Sequence, residues 1–175
     1  MYELHKNEQY FFDKETLERL CIFIENSEYR PLGCLCTPVL GKLLIERKVD
    51  VDILDIDRRF SLYNLIYFNL KYPKFLGFQY DLIICDPPFF SVSLSRLFKA
   101  IYTLALYSFN QKIMISYLKR RENALLGTFE KFNLKSTGFY PRYKTVDTSD
   151  RNKIEFYSNI ENFDRQPWAN LLLLK

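Results

Sequence analysis

An α/β fold, with a mostly parallel open sheet carrying helices on both faces, is what the 175-residue sequence predicts. Three observations predict it. Short runs of β-branched and aliphatic residues alternate with segments of helical period, the pattern of repeated βαβ units. The run Leu82, Ile83, Ile84, Cys85 has no polar residue alternating with its apolar ones, which marks a strand covered on both faces. No repeat, low-complexity block or Gly/Ser- or Pro-rich linker interrupts residues 1–175, so a single domain is expected.

The elements follow in order. Asp13 suits a helix N-cap with Glu15 and Thr16 in the first turn, and Leu17, Leu20, Cys21 and Ile24 recur at helical spacing, which predicts a helix over 13–27. GCLCT at 33–37 reads as a strand; Thr37 as N-cap and Pro38 in the first turn then open a helix to about 48. VDILDID at 51–57 and LIYFNL at 65–70 read as the next strands, and DLIICDPP from 81 as the fourth. A helix over 91–109, a strand over 112–118 and a helix over 120–132 continue the alternation. FYPRY at 139–143 and KIEFYSNI at 153–160 are read as two closing strands.

Composition bounds the class. Hydrophobic residues make up 48% and charged residues 26%, a globular balance for a chain of this length. No apolar stretch approaches membrane-spanning length and MYELHKNEQY is too polar for a signal peptide, so a soluble, cytoplasmic protein is expected. Cys21, Cys34, Cys36 and Cys85 lie in apolar segments, with C-x-C at 34–36 read as two thiols on one strand face. With one histidine (His5, read as exposed and idle) and no C-x-x-C pair, they read as buried reduced thiols rather than disulfides or metal ligands. A net charge of +4 permits a nucleic-acid or acidic partner without requiring one.

Ligands of open α/β sheets bind beyond the carboxyl ends of the strands. There the sequence puts Thr37 with Pro38 after the first strand, Asp55 and Asp57 after the second, Asn69 after the third, and Asp86-Pro87-Pro88-Phe89 after the fourth. Carboxylates after the second strand suit two adjacent ribose hydroxyls, each needing an acceptor; a solvated strand end beside Arg58 and Arg59 is the plainer reading. The first loop lacks G-x-G-x-x-G and so offers no pyrophosphate cradle. A cofactor with a ribose but no phosphates fits this loop better, and S-adenosyl-L-methionine is the common one.

EQYFFDKETLERL, CLCTP, LDIDRRFSLY followed by YFNLKYP, YDLIICDPPF, and FYPRY with IEFYSNI, spread over roughly residues 8–160, resemble the probable N6-adenine methyltransferase family. That family includes a ribosomal-RNA adenine methyltransferase with appended zinc modules and the elongation-factor-1-alpha lysine methyltransferases. The resemblance implies a Rossmann-like, class I methyltransferase with a seven-stranded sheet, S-adenosyl-L-methionine as methyl donor, and a substrate-side N-terminal segment, about residues 1–30, folding over the active site. QYFFD and LDID look more like the RNA enzyme, and the compact length more like the lysine enzymes. The expected acceptor is adenine N6 in RNA, the alternative a protein lysine, with a partner subunit as a possible source of target recognition. A catalytically dead fold serving as a binding partner is a further alternative, against which the intact DPPF stands.

The chemistry explains why a carboxylate and two prolines stand where a buried strand ends. An exocyclic adenine amine is a weak nucleophile until acceptors hold its hydrogens. The Asp86 carboxylate and Pro87 carbonyl are two such acceptors, kept rigid by Pro87 and Pro88. Each acceptor aimed at the charge developing on nitrogen is worth about 3 kcal/mol of barrier. Phe89 offers a face on which a base gains roughly 1 to 3 kcal/mol by stacking. Neither metal nor covalent intermediate is needed, and the same acceptors suit a deprotonated lysine. Gln9, Tyr10, Phe11, Phe90 and Arg142 are the expected substrate contacts, with core packing the alternative for the aromatics and solvated loop for Arg142. Lys119, Arg120 and Arg121, at a helix start, read as a phosphate contact or plain surface. Trp168 and the LLLL run are read as a docking tail.

Overall fold

The structure is a computed structural model and describes residues 2–146, 152–161 and 163. Among them, β1 (Leu32–Leu35), β2 (Val51–Asp55), β3 (Leu65–Tyr67), β4 (Leu82–Cys85), β5 (Lys112–Leu118), β6 (Lys135–Ser136) and β7 (Ile154–Ser158) form one seven-stranded sheet. Its order is β3-β2-β1-β4-β5-β7-β6. The first five strands pair in parallel, whereas β7 runs antiparallel to β5 and β6 antiparallel to β7. The helices are α1 (Lys14–Glu25), α2 (Pro38–Glu46), α3 (Leu94–Leu104) and α4 (Glu122–Thr128). From β1 the chain crosses through α2 to one side, and from β4 through α3 to the other. Right-handed crossovers therefore put α2 and α3 on opposite faces. The order reverses between β1 and β4, which makes their carboxyl ends the switch point where such sheets bind ligands.

Local chemistry sets most element ends. Asp13 Oδ1 accepts from Thr16 N at 2.7 Å, the expected cap of α1. Ser93 caps α3, which begins three residues after the sequence expectation and stops at Leu104, because Leu106 and Tyr107 turn left-handed with φ of 50° and 62°. Along α3, Leu94, Leu97, Ala100, Ile101 and Leu104 are buried at intervals of three and four. Burying each leucine or isoleucine there contributes about 1.5 to 3 kcal/mol. Gly41 lets α2 press against β2: a Cβ at this position would stand 2.5 Å from Ile53 Cγ1.

Three sequence readings need correction. Thr37 precedes α2 but its side chain caps nothing: the hydroxyl is buried with no hydrogen-bond partner, and Pro38 carries the helix start by its fixed φ. Cys36 lies past the end of β1 with φ of 58°, so it does not share a strand face with Cys34. FYPRY is extended, since Phe139, Pro141 and Tyr143 are buried while Tyr140 and Arg142 are exposed, yet it joins no ladder. Pro141 has no N–H to donate, and the neighbouring backbone groups bond the N-terminal segment instead, with one bridge between Phe12 and Tyr143. The sixth strand is the short Lys135–Ser136 before it. Lys144 to Val146, at the start of the late polar stretch, is described, but the expected Trp168 tail lies outside the described residues.

Candidate active site

Parallel register brings the strand ends level. Leu35 pairs with Leu54 on one side and with Cys85 on the other, so Cys36, Asp55 and Asp86 emerge together at the switch point. Cys36 N donates to Leu54 O at 3.0 Å and Asp86 N to Leu35 O at 3.2 Å, continuing the ladders to the rim. Above them opens a cleft walled by residues 86–89, 91 and 92, by residues 68–71, by Asp55 to Asp57, by residues 6–10 and by Tyr143. Its empty space, open mouth included, is about 1050 Å³. That is room for a nucleoside cofactor with an acceptor group beside it.

Asp86 stands half-buried at the floor. Its Oδ1 accepts from Ser116 Oγ and, at 2.7 Å, from Tyr143 Oη. Burial pushes its carboxyl up to about 7, against the lowering effect of those two hydrogen bonds. Pro87 is buried, Pro88 and Phe89 are half-buried, and all three line the cleft. The Phe89 ring meets Tyr117 edge-on, with centroids 5.6 Å apart, and the Arg121 guanidinium lies over Tyr117 while reaching the Phe89 carbonyl at 3.4 Å. The basic cluster at 119–121 is thus partly absorbed within the fold: Lys119 pairs with Glu122 and Glu155 at 2.8 and 2.7 Å.

Asp55 and Asp57 have different employments. Asp55 is buried on the cleft wall, where Oδ1 accepts from Asp57 N at 2.8 Å. Burial pushes it up to about 6, because backbone N–H groups alone do not replace its lost hydration and the charge of Asp57 is close. Two hydroxyls of a ribose would supply the missing donors, so the residues present fit a nucleoside cofactor without phosphates. Burial also acts on Asp57, but hydrogen bonds from Arg59 and Gln9 outweigh it and hold the carboxyl below its ordinary range. Asp57 takes Arg59 Nη2 at 2.6 Å and Gln9 Nε2 at 2.9 Å, bonds that tie the N-terminal segment to the cleft wall. Asn69 lines the cleft, with Oδ1 accepting from Lys71 N at 2.9 Å.

The N-terminal segment crosses the cleft. Glu8 accepts from the backbone N–H groups of Phe90 and Ser91 at 3.0 and 3.2 Å, and Gln9 and Tyr10 line the wall. Other expected site residues stand apart. Phe11 is buried against Ile53 and Phe60, Thr37 and Pro38 are buried in the fold, and Phe90 is 69% exposed outside the cleft. Arg142 is exposed, 3.5 Å from Glu15. Tyr143 and Ser116, which sequence reasoning passed over, are the hydroxyls on Asp86; within FYPRY only Arg142 reads as a site residue. His5 is exposed, as expected, and pairs with Glu3 at 2.9 Å. Among the described residues no cluster of His, Cys, Asp and Glu is arranged to hold a metal, and no helix is long and apolar enough to cross a membrane.

Comparison with known proteins adds to this geometry. A solved structure of the ribosomal protein L11 methylase from Lactobacillus delbrueckii subsp. bulgaricus superposes with a TM-score of 0.50 at 11% identity, over 86% of this chain and 81% of that one, a likeness of fold. The N-methyltransferase NodS from Bradyrhizobium japonicum WM9 gives 0.47 at 9% identity, over 85% and 96%. No curated protein matches the sequence. The family model described as Probable N6-adenine methyltransferase matches residues 3–162.

Proposed function

The chain belongs to the probable N6-adenine methyltransferase family, and from that membership we propose that it methylates the N6 amine of adenine in RNA. It is an S-adenosylmethionine-dependent N-methyltransferase of class I fold. Asp55 would hold the cofactor's ribose and Asn69, on the same cleft, would contact its adenine end. When bound, the cofactor supplies a methyl group on a sulfonium, open to attack by a neutral amine.

The observation that carries the reading is the Asp86–Phe89 turn, which sets a carboxylate, a rigid carbonyl and an aromatic ring on the same cleft as Asp55. Asp86 and the Pro87 carbonyl accept the two amine hydrogens, which frees the nitrogen lone pair from the purine ring. As positive charge builds on nitrogen both contacts strengthen, so they act on the barrier more than on binding. Asp86, with its carboxyl at about 7, can then take the proton that the methylated nitrogen releases. Phe89 stacks on the base. Pro87 and Pro88 keep the acceptors from relaxing between turnovers.

The acceptor is tested by incubating the enzyme with labelled cofactor and a cell extract divided into RNA, DNA and protein. Label is expected in RNA, at N6 of adenine. Phe89→Leu keeps bulk but loses the π-face, so RNA methylation should fall by roughly 5- to 150-fold, corresponding to stacking of about 1 to 3 kcal/mol. Label confined to protein, with a Phe89→Leu enzyme that keeps most of its rate, would replace RNA by a lysine, whose alkyl stem packs on leucine nearly as well.

A further inference from the structure

We propose that Tyr143 and Ser116 are positioning residues for methyl transfer: their hydroxyls grip one oxygen of Asp86 and leave its other oxygen to accept from the substrate amine. This rests on the reading of Asp86 as an acceptor of the amine's hydrogens. Both donors converge on Oδ1, Tyr143 Oη at 2.7 Å and Ser116 Oγ from the neighbouring strand. They come from different parts of the fold. Ser116 is fully buried on β5, one residue beyond the pairing of Cys85 with Ile115. Tyr143 is 7% exposed and held from outside the sheet. Its ring tilts on Phe12 at 5.1 Å, Lys144 N donates to Phe11 O and Asp13 N to Arg142 O, both at 2.9 Å, and Arg142 N reaches Thr16 Oγ1 at 2.9 Å.

Two fixed donors on one oxygen do two things. They stop the carboxylate from rotating about its Cβ–Cγ bond, which a lone acceptor at a strand end would do freely. They also offset burial without a cation, so Asp86 stays a usable base. An arginine in their place would pull the carboxyl far down and weaken it as an acceptor. The titratable groups facing Asp86 are Cys85 below it, Cys36 from the end of β1 and Tyr143 itself. Burial raises all three, so each is uncharged near neutrality and the hydroxyls are left to set the balance.

The test reads Asp86 directly. In full-length protein labelled with ¹³C at aspartate carboxyls, and assigned with Asp86→Asn, the Asp86 titration midpoint should rise by about one pH unit in Tyr143→Phe, since one stabilising donor to the charged form is gone. Turnover at pH 7 should drop about fivefold and recover toward wild type by pH 9, with KM for the acceptor and cofactor affinity changed less than about twofold. Ser116→Ala should move both quantities the same way, and serves alone if Tyr143→Phe does not fold. An unmoved midpoint and an unshifted pH profile in a folded variant would overturn the proposal. A moved midpoint in a protein that methylates no RNA keeps Asp86 held as described and removes the choice of acceptor.

Discussion

Asp55 and Asp57 stand two residues apart on one strand end, yet their surroundings push them in opposite directions, Asp55 up to about 6 and Asp57 below its ordinary range. Burial drives Asp55 up, whereas on Asp57 it is outweighed by the hydrogen bonds of Arg59, through Nε and Nη2, and of Gln9. An arginine-bound carboxylate has little left for a ligand; a desolvated one has much to gain. Asp55→Ala should therefore weaken S-adenosylmethionine binding by about 1.5 to 3 kcal/mol in calorimetric titration, the range for hydrogen bonds to a charged group. Asp57→Ala should act less on affinity. Arg58 and Arg59 were legible beside Asp57 in the sequence, so the signal for its employment was present, but which of the two aspartates they would meet was not. Asp86 was legible because its motif is local. Its partners were not: Ser116 and Tyr143 lie 30 and 57 residues away, and only folding brings them to one oxygen.

Among elements, those with a strong period were legible and those fixed by partners were not. The buried strand β4 announced itself by composition, and α1 by its cap and spacing. FYPRY had the alternation of a strand and in fact alternates inside and outside, but a ladder needs a neighbour with free groups, and Pro141 has no N–H to give. The close approach of α2 to β2 offers a test of packing. At Gly41 an added methyl would overlap Ile53 Cγ1 at 2.5 Å, with Cys34 Cβ 3.3 Å away, so neither side has room. Gly41→Ala should destabilise the protein by about 1 to 3 kcal/mol in urea unfolding, despite alanine's better helix propensity of roughly 1 kcal/mol.

Across the whole molecule, the site is assembled at a cost in stability. Asp86 has a folded-state pKa of about 7, above its value in an unfolded chain near 4. Between those values the folded protein holds the proton more tightly than the unfolded one, so this group's contribution to stability falls as pH rises from about 4 to about 7 and is flat beyond. Asp86→Asn removes the titration. It should be more stable than wild type by up to about 4 kcal/mol at pH 8, with the gap closing toward pH 4, as read from urea midpoints at both pH values. The late placement of Tyr143 has another consequence, for the protein as it is made. Asp86 leaves the ribosome well before Ser116, and Ser116 before Tyr143, while the residues that fix Tyr143 in place, Phe11 to Thr16, emerge earlier than all three. A nascent chain can build its parallel strands in order, but the carboxylate gains its second hydroxyl only when the segment 11–16 meets a stretch synthesised some 130 residues later. Translation arrested before Tyr143 would leave the Asp86 carboxylate without its second donor, so on the proposed reading full methyl transfer waits until Tyr143 has been made.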